Sequence, residues 1–277
     1  TIYGDWYGFL FQDHDGLGRV PSILAVNWDY VDTKNNKYYP DWPMMGYYDD
    51  KGNFVNCLGT SQKVKNPLTI QLNKSDKESY IVGDDDFSYP DFKEGDSLKK
   101  VWQWNHNPDD ANWSVTENPG YYRIKNGKVA GNIWFARNSL TQRTVGPNFT
   151  SETCVLTENM KPGDYAGLAA ISAHYGMVGV KCDENGNRYV FQGCNSDTNS
   201  GAKAKKEDKI KENAVSEEKI EGNAPVYLKI EYAFNTGKTR ADRANFFYSL
   251  DGENWKSIGE TFSLGFDTAT TFMGTRR

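Results

Sequence analysis

The 277-residue chain carries a net charge of -5, 38% hydrophobic residues and a mean hydropathy of -0.74. No stretch approaches the roughly 20 apolar residues that a spanning helix needs, and the acidic balance lacks the basic face of a duplex-DNA binder, so membrane and nucleic-acid roles are excluded. Aromatic residues at 14%, with 8 Trp and 17 Tyr, exclude global disorder and leave a soluble, turn-rich chain whose aromatics are either core or sugar platforms.

In chain order, residues 2–11 are aromatic-rich and strand-like, and residues 20–28 follow the turn signal Asp15-Gly16-Leu17-Gly18. Asp41-Trp42-Pro43-Met44-Met45-Gly46 leads to a third short strand. One meander of this size does not bury its own faces and needs neighbours. Residues 56–82 are rich in Lys, Asn, Ser and Pro with weak periodicity and read as a linker. A second strand series begins after Asp84-Asp85-Asp86. Aromatic and polar residues alternate with period two at 102–106, 121–124 and 132–137. Further strands fit 166–173, 177–182, 188–193, 226–232 and 245–250, with Asp183-Glu184-Asn185-Gly186 as a hairpin turn. This spacing predicts a sandwich of two antiparallel sheets. Residues 202–221 are ambiguous: Lys, Glu and Ala favour a helix by propensity, and a pair of charged edge strands around a turn is the alternative.

Cys57, Cys154, Cys182 and Cys194 form no CxxC pair, so no zinc site is suggested. Buried free thiols are the better reading, with a Cys182–Cys194 bridge as the alternative. His14, His106 and His174 lack ligand spacing and read as structural. No phosphate-cradling loop, GxSxG or HExxH occurs. Asp84-Asp85-Asp86 reads either as hard oxygen ligands for calcium or as a solvated acidic turn. Alternation puts Trp102, Trp104 and His106 on one face and Gln103 and Asn105 on the other. With the tryptophans as core, the amides line an outward polar groove; the reverse makes a stacking platform. The core reading is preferred.

Several motifs then carry a family resemblance. Gly4-Asp5-Trp6-Tyr7, Phe11-Gln12-Asp13, Gly18-Arg19 and Asp41-Trp42-Pro43-Met44-Met45-Gly46 resemble the last blade of the five-bladed propeller of glycoside hydrolase family 43. Trp102-Gln103-Trp104-Asn105-His106-Asn107-Pro108-Asp109, Ala136-Arg137-Asn138-Ser139-Leu140-Thr141-Gln142-Arg143-Thr144 and Tyr248-Ser249-Leu250-Asp251-Gly252 are more specific. They look like the C-terminal concanavalin-like sandwich of family 43 β-xylosidases, a sandwich similar to carbohydrate-binding module family 91.

The resemblance implies an all-β chain. Residues 1–55 are expected to form the last propeller blade, 56–82 a linker, and 83–277 a β-sandwich whose final strands are missing. It selects edge strands for 202–221. It implies a parent enzyme that hydrolyses terminal β-1,4-xylosyl residues of xylo-oligosaccharides by inversion, with an α-L-arabinofuranosidase parent as the alternative. The family's catalytic Asp, Asp and Glu lie on earlier blades, so no catalytic residue is carried over and the chain alone is expected to be inactive. Arg19 matches an arginine that reaches the substrate pocket, against the alternative of a structural arginine at the blade's turn. Gln103, Asn105, Arg137 and Gln142 are the candidate xylan contacts of the sandwich. The expected partners are xylo-oligosaccharide or xylan and the remaining blades of the parent chain. No cofactor is required, and a structural calcium ion in the parent stays open. A stand-alone carbohydrate-binding protein and a purely structural sandwich are the competing readings.

Overall fold

The computed structural model describes residues 5–14, 17–56, 80–131, 133–171, 174–195, 213–234 and 242–264. Almost all regular structure in them is β, and none of their helices is long and apolar enough to cross a membrane. The chain divides into two compact units: Thr1–Asp13 with Arg19–Glu78, and His14–Gly18 with Ser79–Arg277. The expected linker lies almost wholly outside the described residues, as does Cys57.

In the first unit, β1 (Trp6–His14), β2 (Gly18–Asn27), β5 (Met44–Tyr48) and β6 (Phe54–Asn56) make a four-stranded sheet in the order β1-β2-β5-β6. A small hairpin of β3 (Tyr30–Asp32) and β4 (Lys37–Tyr39) is inserted between β2 and β5. The three expected strands are present; the inserted hairpin and β6 are additions. The β5–β6 turn is built by Asp49 and Asn53. The Asp49 carboxylate accepts the Lys51 and Asn53 backbone N–H groups at 2.9 and 2.8 Å and the Asn53 side-chain amide at 3.2 Å. Gly52, at φ +80, supplies the left-handed residue that closes the turn.

That sheet buries little. Along β1, successive side chains point to opposite faces, and both faces carry exposed apolar groups: Trp6 and Leu10 at 52% and 40% on one, Phe9 and Phe11 at 72% and 54% on the other.

The second unit is a sandwich with a loop-built annex. One sheet runs β12-β13-β14-β15: β12 (Tyr165–Ile171), β13 (Tyr175–Cys182), β14 (Arg188–Asn195) and β15 (Asn213–Ile220). The other runs β11-β16-β17-β18, with β19 also on β17: β11 (Asn148–Val155), β16 (Val226–Ala233), β17 (Arg243–Ser249), β18 (Lys256–Ser257) and β19 (Phe262–Ser263). Inward positions alternate strictly on β16, where Val226, Leu228, Ile230 and Tyr232 are 0–2% exposed. They meet Val178, Val180 and Val190 of the first sheet and Phe246 and Tyr248 of β17 in one core. Each such side chain contributes about 1.5–3 kcal/mol by leaving water. Tyr248 also crosses the sandwich to donate its hydroxyl to Glu218 of β15, and burial with that carboxylate pushes the phenol up to about 12.

Of residues 202–221, Asn213–Ile220 form β15 at the edge of its sheet, one edge strand of the expected pair; 202–212 lie outside the described residues. The β13–β14 hairpin repeats the turn device of the first unit: Asp183 accepts the Asn185 and Asn187 N–H groups and the Asn187 amide, with Gly186 at φ +81. Cys182 pairs with Arg188 and Cys194 with Gly176, at opposite ends of this hairpin, so the Cys182–Cys194 bridge is geometrically excluded. Cys154, Cys182 and Cys194 are free thiols.

Three corrections concern the annex, residues 80–146. The strand expected over 132–137 is instead a 3-10 turn, Ile133–Phe135. Consecutive apolar side chains there do not alternate: Ile133 and Trp134 both pack on a second buried cluster of Ala169, Ile171, Tyr175, Met177 and Phe191 on the outer face of the β12–β15 sheet. The strand expected over 102–106 shortens to β7 (Gln103–Trp104), paired with β10 (Leu140–Thr141); that over 121–124 shortens to β9 (Arg123–Ile124), paired with β8 (Trp113–Ser114). Finally, the tryptophans are not sandwich core. None of the 8 is fully buried, because the inward strand positions are filled by aliphatics, Phe and Tyr.

Candidate functional site

The β7–β10 pairing sets Trp104 opposite Leu140 and Gln103 opposite Thr141. It therefore brings the two long motifs, 102–109 and 136–144, side by side. Their polar side chains mostly serve the backbone. Asn105 donates its amide to the carbonyls of Ile133 and Trp134 at 3.4 and 3.2 Å. His106 bonds the Trp134 carbonyl and stacks on Phe135. Asn138, only 3% exposed and left-handed at φ 60, accepts from the Asp109 N–H and donates to the Asp109 and Asn112 carbonyls. Asn tolerates that conformation better than most residues, and these bonds hold it.

Each predicted contact residue now has a place. Gln142 is 1% exposed, and its amide grips the Gly83 backbone, accepting from N–H at 3.0 Å and donating to C=O at 2.9 Å. It faces no outward groove, because a buried amide must satisfy its own donors and acceptors within the protein. Asn105 is half-buried and turned inward as described. Gln103 and Arg137 are exposed on the same annex. Arg19 belongs to the other unit, on β2, with its guanidinium 4.5 Å above the Phe11 ring.

Sequence reasoning missed the centre of the annex. Asp85 has a fully buried side chain that accepts the Tyr89 hydroxyl at 2.6 Å, the Trp102 indole N–H at 2.8 Å and the Phe87 N–H at 3.0 Å; the Lys99 ammonium lies at 3.0 Å. Burial pushes this carboxyl up, but the bonds from Tyr89, Trp102 and Lys99 outweigh it and hold it below the usual carboxylate range. The same burial and Asp85 contact push the Tyr89 phenol up to about 12. An oxygen pair already occupied by a lysine and three donors has no open arc for a hard cation, so Asp85 itself is committed to the protein and is no ligand in this arrangement. Phe87, at φ 51, stacks on Trp102 and Tyr122, each at 5.6 Å between centroids. A bulky residue in that region stores about 1–3 kcal/mol of strain, which the surrounding bonds must hold. Trp104 and Trp113 continue the cluster at 5.2 Å, and the Trp113 indole donates to Asp110 at 2.9 Å. The clue was Asp85 seventeen residues before Trp102, a pairing that no local periodicity reveals.

The pattern of the family described as "Beta xylosidase C-terminal Concanavalin A-like domain" matches residues 90–276. The chain belongs to that family. A "Beta-xylosidase" of Formosa agariphila is 27% identical over 94% of this chain. The chain spans 40% of that relative's length. A solved structure titled "Bifunctional GH43-CE" from Bacteroides eggerthii superposes with a TM-score of 0.72 at 32% identity, over 99% of this chain and 30% of that one. A GH43 glycoside hydrolase engineered for both endo-xylanase and exo-arabinofuranosidase activity shares the fold, with a TM-score of 0.75 at 22% identity, over 99% of this chain and 48% of its own.

Proposed function

We infer that this chain is the C-terminal part of a family 43 enzyme that hydrolyses terminal β-1,4-xylosyl residues of xylo-oligosaccharides with inversion. The observation that carries this reading is the four-stranded sheet with exposed apolar side chains on both faces. A sheet in a two-layer domain covers at least one face with its own chain. A propeller blade is a four-stranded antiparallel sheet covered on both faces by its neighbours. The β-xylosidase relative, of which this chain spans 40%, has the length for the other blades.

In this reading residues 1–55 are the last blade, 56–82 the linker, and 83–277 the accessory sandwich. The pair of carboxylates that glycoside hydrolysis requires, one as acid and one as base, resides on earlier blades. Arg19 is the blade's contribution to the sugar pocket. The hydrolysis itself needs no cofactor. The 277-residue chain alone is inactive. The test is release of p-nitrophenol from its β-xyloside. The parent protein is expected to catalyse it with inversion seen by NMR of the first-formed sugar, and the chain alone is not. Turnover by the isolated chain refutes the assignment of the carboxylates to earlier blades.

A further inference from the structure

The annex holds a cleft that the functional reading leaves unused. It has a volume of about 650 Å³, within the usual range for a ligand site. One wall is the loop 92–100; the other comprises residues 108–116; Trp102 and Trp104 lie between them. None of the candidate contacts Gln103, Asn105, Arg137 or Gln142 lines it.

Three observations narrow what this cleft takes. First, Trp102, Trp104 and Trp113 all line it and are all half-buried, so aromatic surface remains accessible. The indole N–H groups of Trp102 and Trp113 are already given to Asp85 and Asp110. What these two rings offer a ligand is therefore their apolar and π surface, held in place by the buried Asp85 carboxylate behind Trp102 and the exposed Asp110 carboxylate beside Trp113. A rigid aromatic surface loses little entropy on binding. Second, the rim is rich in charge yet balanced: Lys93, Lys99 and Lys100 stand against Glu94, Asp96 and Asp110. A phosphate or polyanionic ligand wants an excess of cations, and a cationic one wants the reverse; equal numbers with Ser97 and Thr116 between them suit an uncharged ligand covered in hydroxyls. Third, the cleft adjoins a shallower depression of about 390 Å³ that shares Phe92, Asp96 and Ser97 with it. The concave surface thus continues beyond the span of one sugar ring.

We propose that this cleft binds a neutral β-1,4-linked oligosaccharide, its apolar ring faces against Trp102, Trp104 and Trp113 and its hydroxyls on the charged rim. The site is non-catalytic. The proposal rests on the carbohydrate-active reading above and adds a location for the sugar on the second unit, one formed by residues 88–116 and not by the two long motifs' amides.

Calorimetric titration of the 277-residue chain with xylohexaose tests it, with hexagalacturonate as a charged control of equal length. Xylohexaose is expected to bind saturably and hexagalacturonate not to bind. Trp104→Ala and Ser97→Trp are each expected to weaken xylohexaose by about tenfold or more. Ser97 is exposed, so the bulky replacement obstructs the cleft without entering a core and keeps the test decisive where Trp104→Ala fails to fold. No binding by the unmodified chain, an affinity unchanged in Ser97→Trp, or preferential binding of hexagalacturonate overturns the proposal. β-Xyloside hydrolysis by the parent protein is read separately: activity without xylohexaose binding by this chain removes the cleft alone, and a parent without activity removes the functional reading beneath it.

Discussion

The sandwich strands and the annex, both in the second unit, reach a fixed shape by different means. On β16 and β17 alternate side chains enter one continuous apolar core, and stability comes from area removed from water. In residues 80–146 the strands are two residues long, and shape comes from polar side chains that tie together segments far apart in sequence: Asp85 to the Trp102 indole, Asn138 to the Asp109 and Asn112 backbone, Gln142 to the Gly83 backbone. A core of area tolerates imprecise placement, whereas a set of buried hydrogen bonds holds side chains at defined positions. The annex is accordingly where the strained Phe87, the aromatic cluster and the cleft occur together.

Substitutions separate the two modes. The largest effect is expected in the core: Phe246→Ala, at a side chain 2% exposed, destabilises the second unit by about 4 kcal/mol, read as the shift of its urea midpoint. Asp85→Ala is expected to cost about 3 kcal/mol, because Lys99, Tyr89 and the Trp102 indole lose their common partner. A cost near zero would show that the annex is held by its aromatics alone. Acid distinguishes the modes without mutation. Asp85 is depressed in the folded state, so its stabilisation is complete above the ordinary carboxylate value of about 4 and is lost as pH falls through the lower folded value. Tryptophan fluorescence of the annex is expected to change in that window, and the change to be absent in Asp85→Asn. The smallest effect is at the surface: Lys125→Ala breaks a 2.5 Å pair with Glu117 between partly exposed side chains and is expected to cost less than about 0.5 kcal/mol by thermal unfolding.

The same division decides what was legible in the sequence. Strands β12, β13, β14, β16 and β17 fall within a few residues of the expected runs, because an inward apolar residue at every second position is visible without a structure. β11 was invisible, since its inward side includes the buried Ser151 and the half-buried Thr153 beside Phe149 and Val155. In the annex the residue types were noticed but their directions were not. A glutamine such as Gln142 looks the same whether it faces a sugar or the Gly83 backbone, and only the fold decides. The family motifs were legible because they are long and specific; the cleft was not, because loop 92–100 has no periodicity and reaches the tryptophans only in three dimensions.

The paired turns of Asp49–Asn53 and Asp183–Asn187 bear on the order in which the chain folds. Each ring closes within five residues, from Asp to Asn, and leaves its two strands facing each other. Such closures cost little chain entropy and form in about microseconds, whereas Val155 must find Val226 across the whole β12–β15 sheet. The β13–β14 hairpin is therefore expected to assemble early and the β11–β16 ladder late. Pulse-labelled amides protected in β11 before β14 would reverse that order. On this account a few carboxylates in the turns set the sequence of events by which the larger sheets are joined.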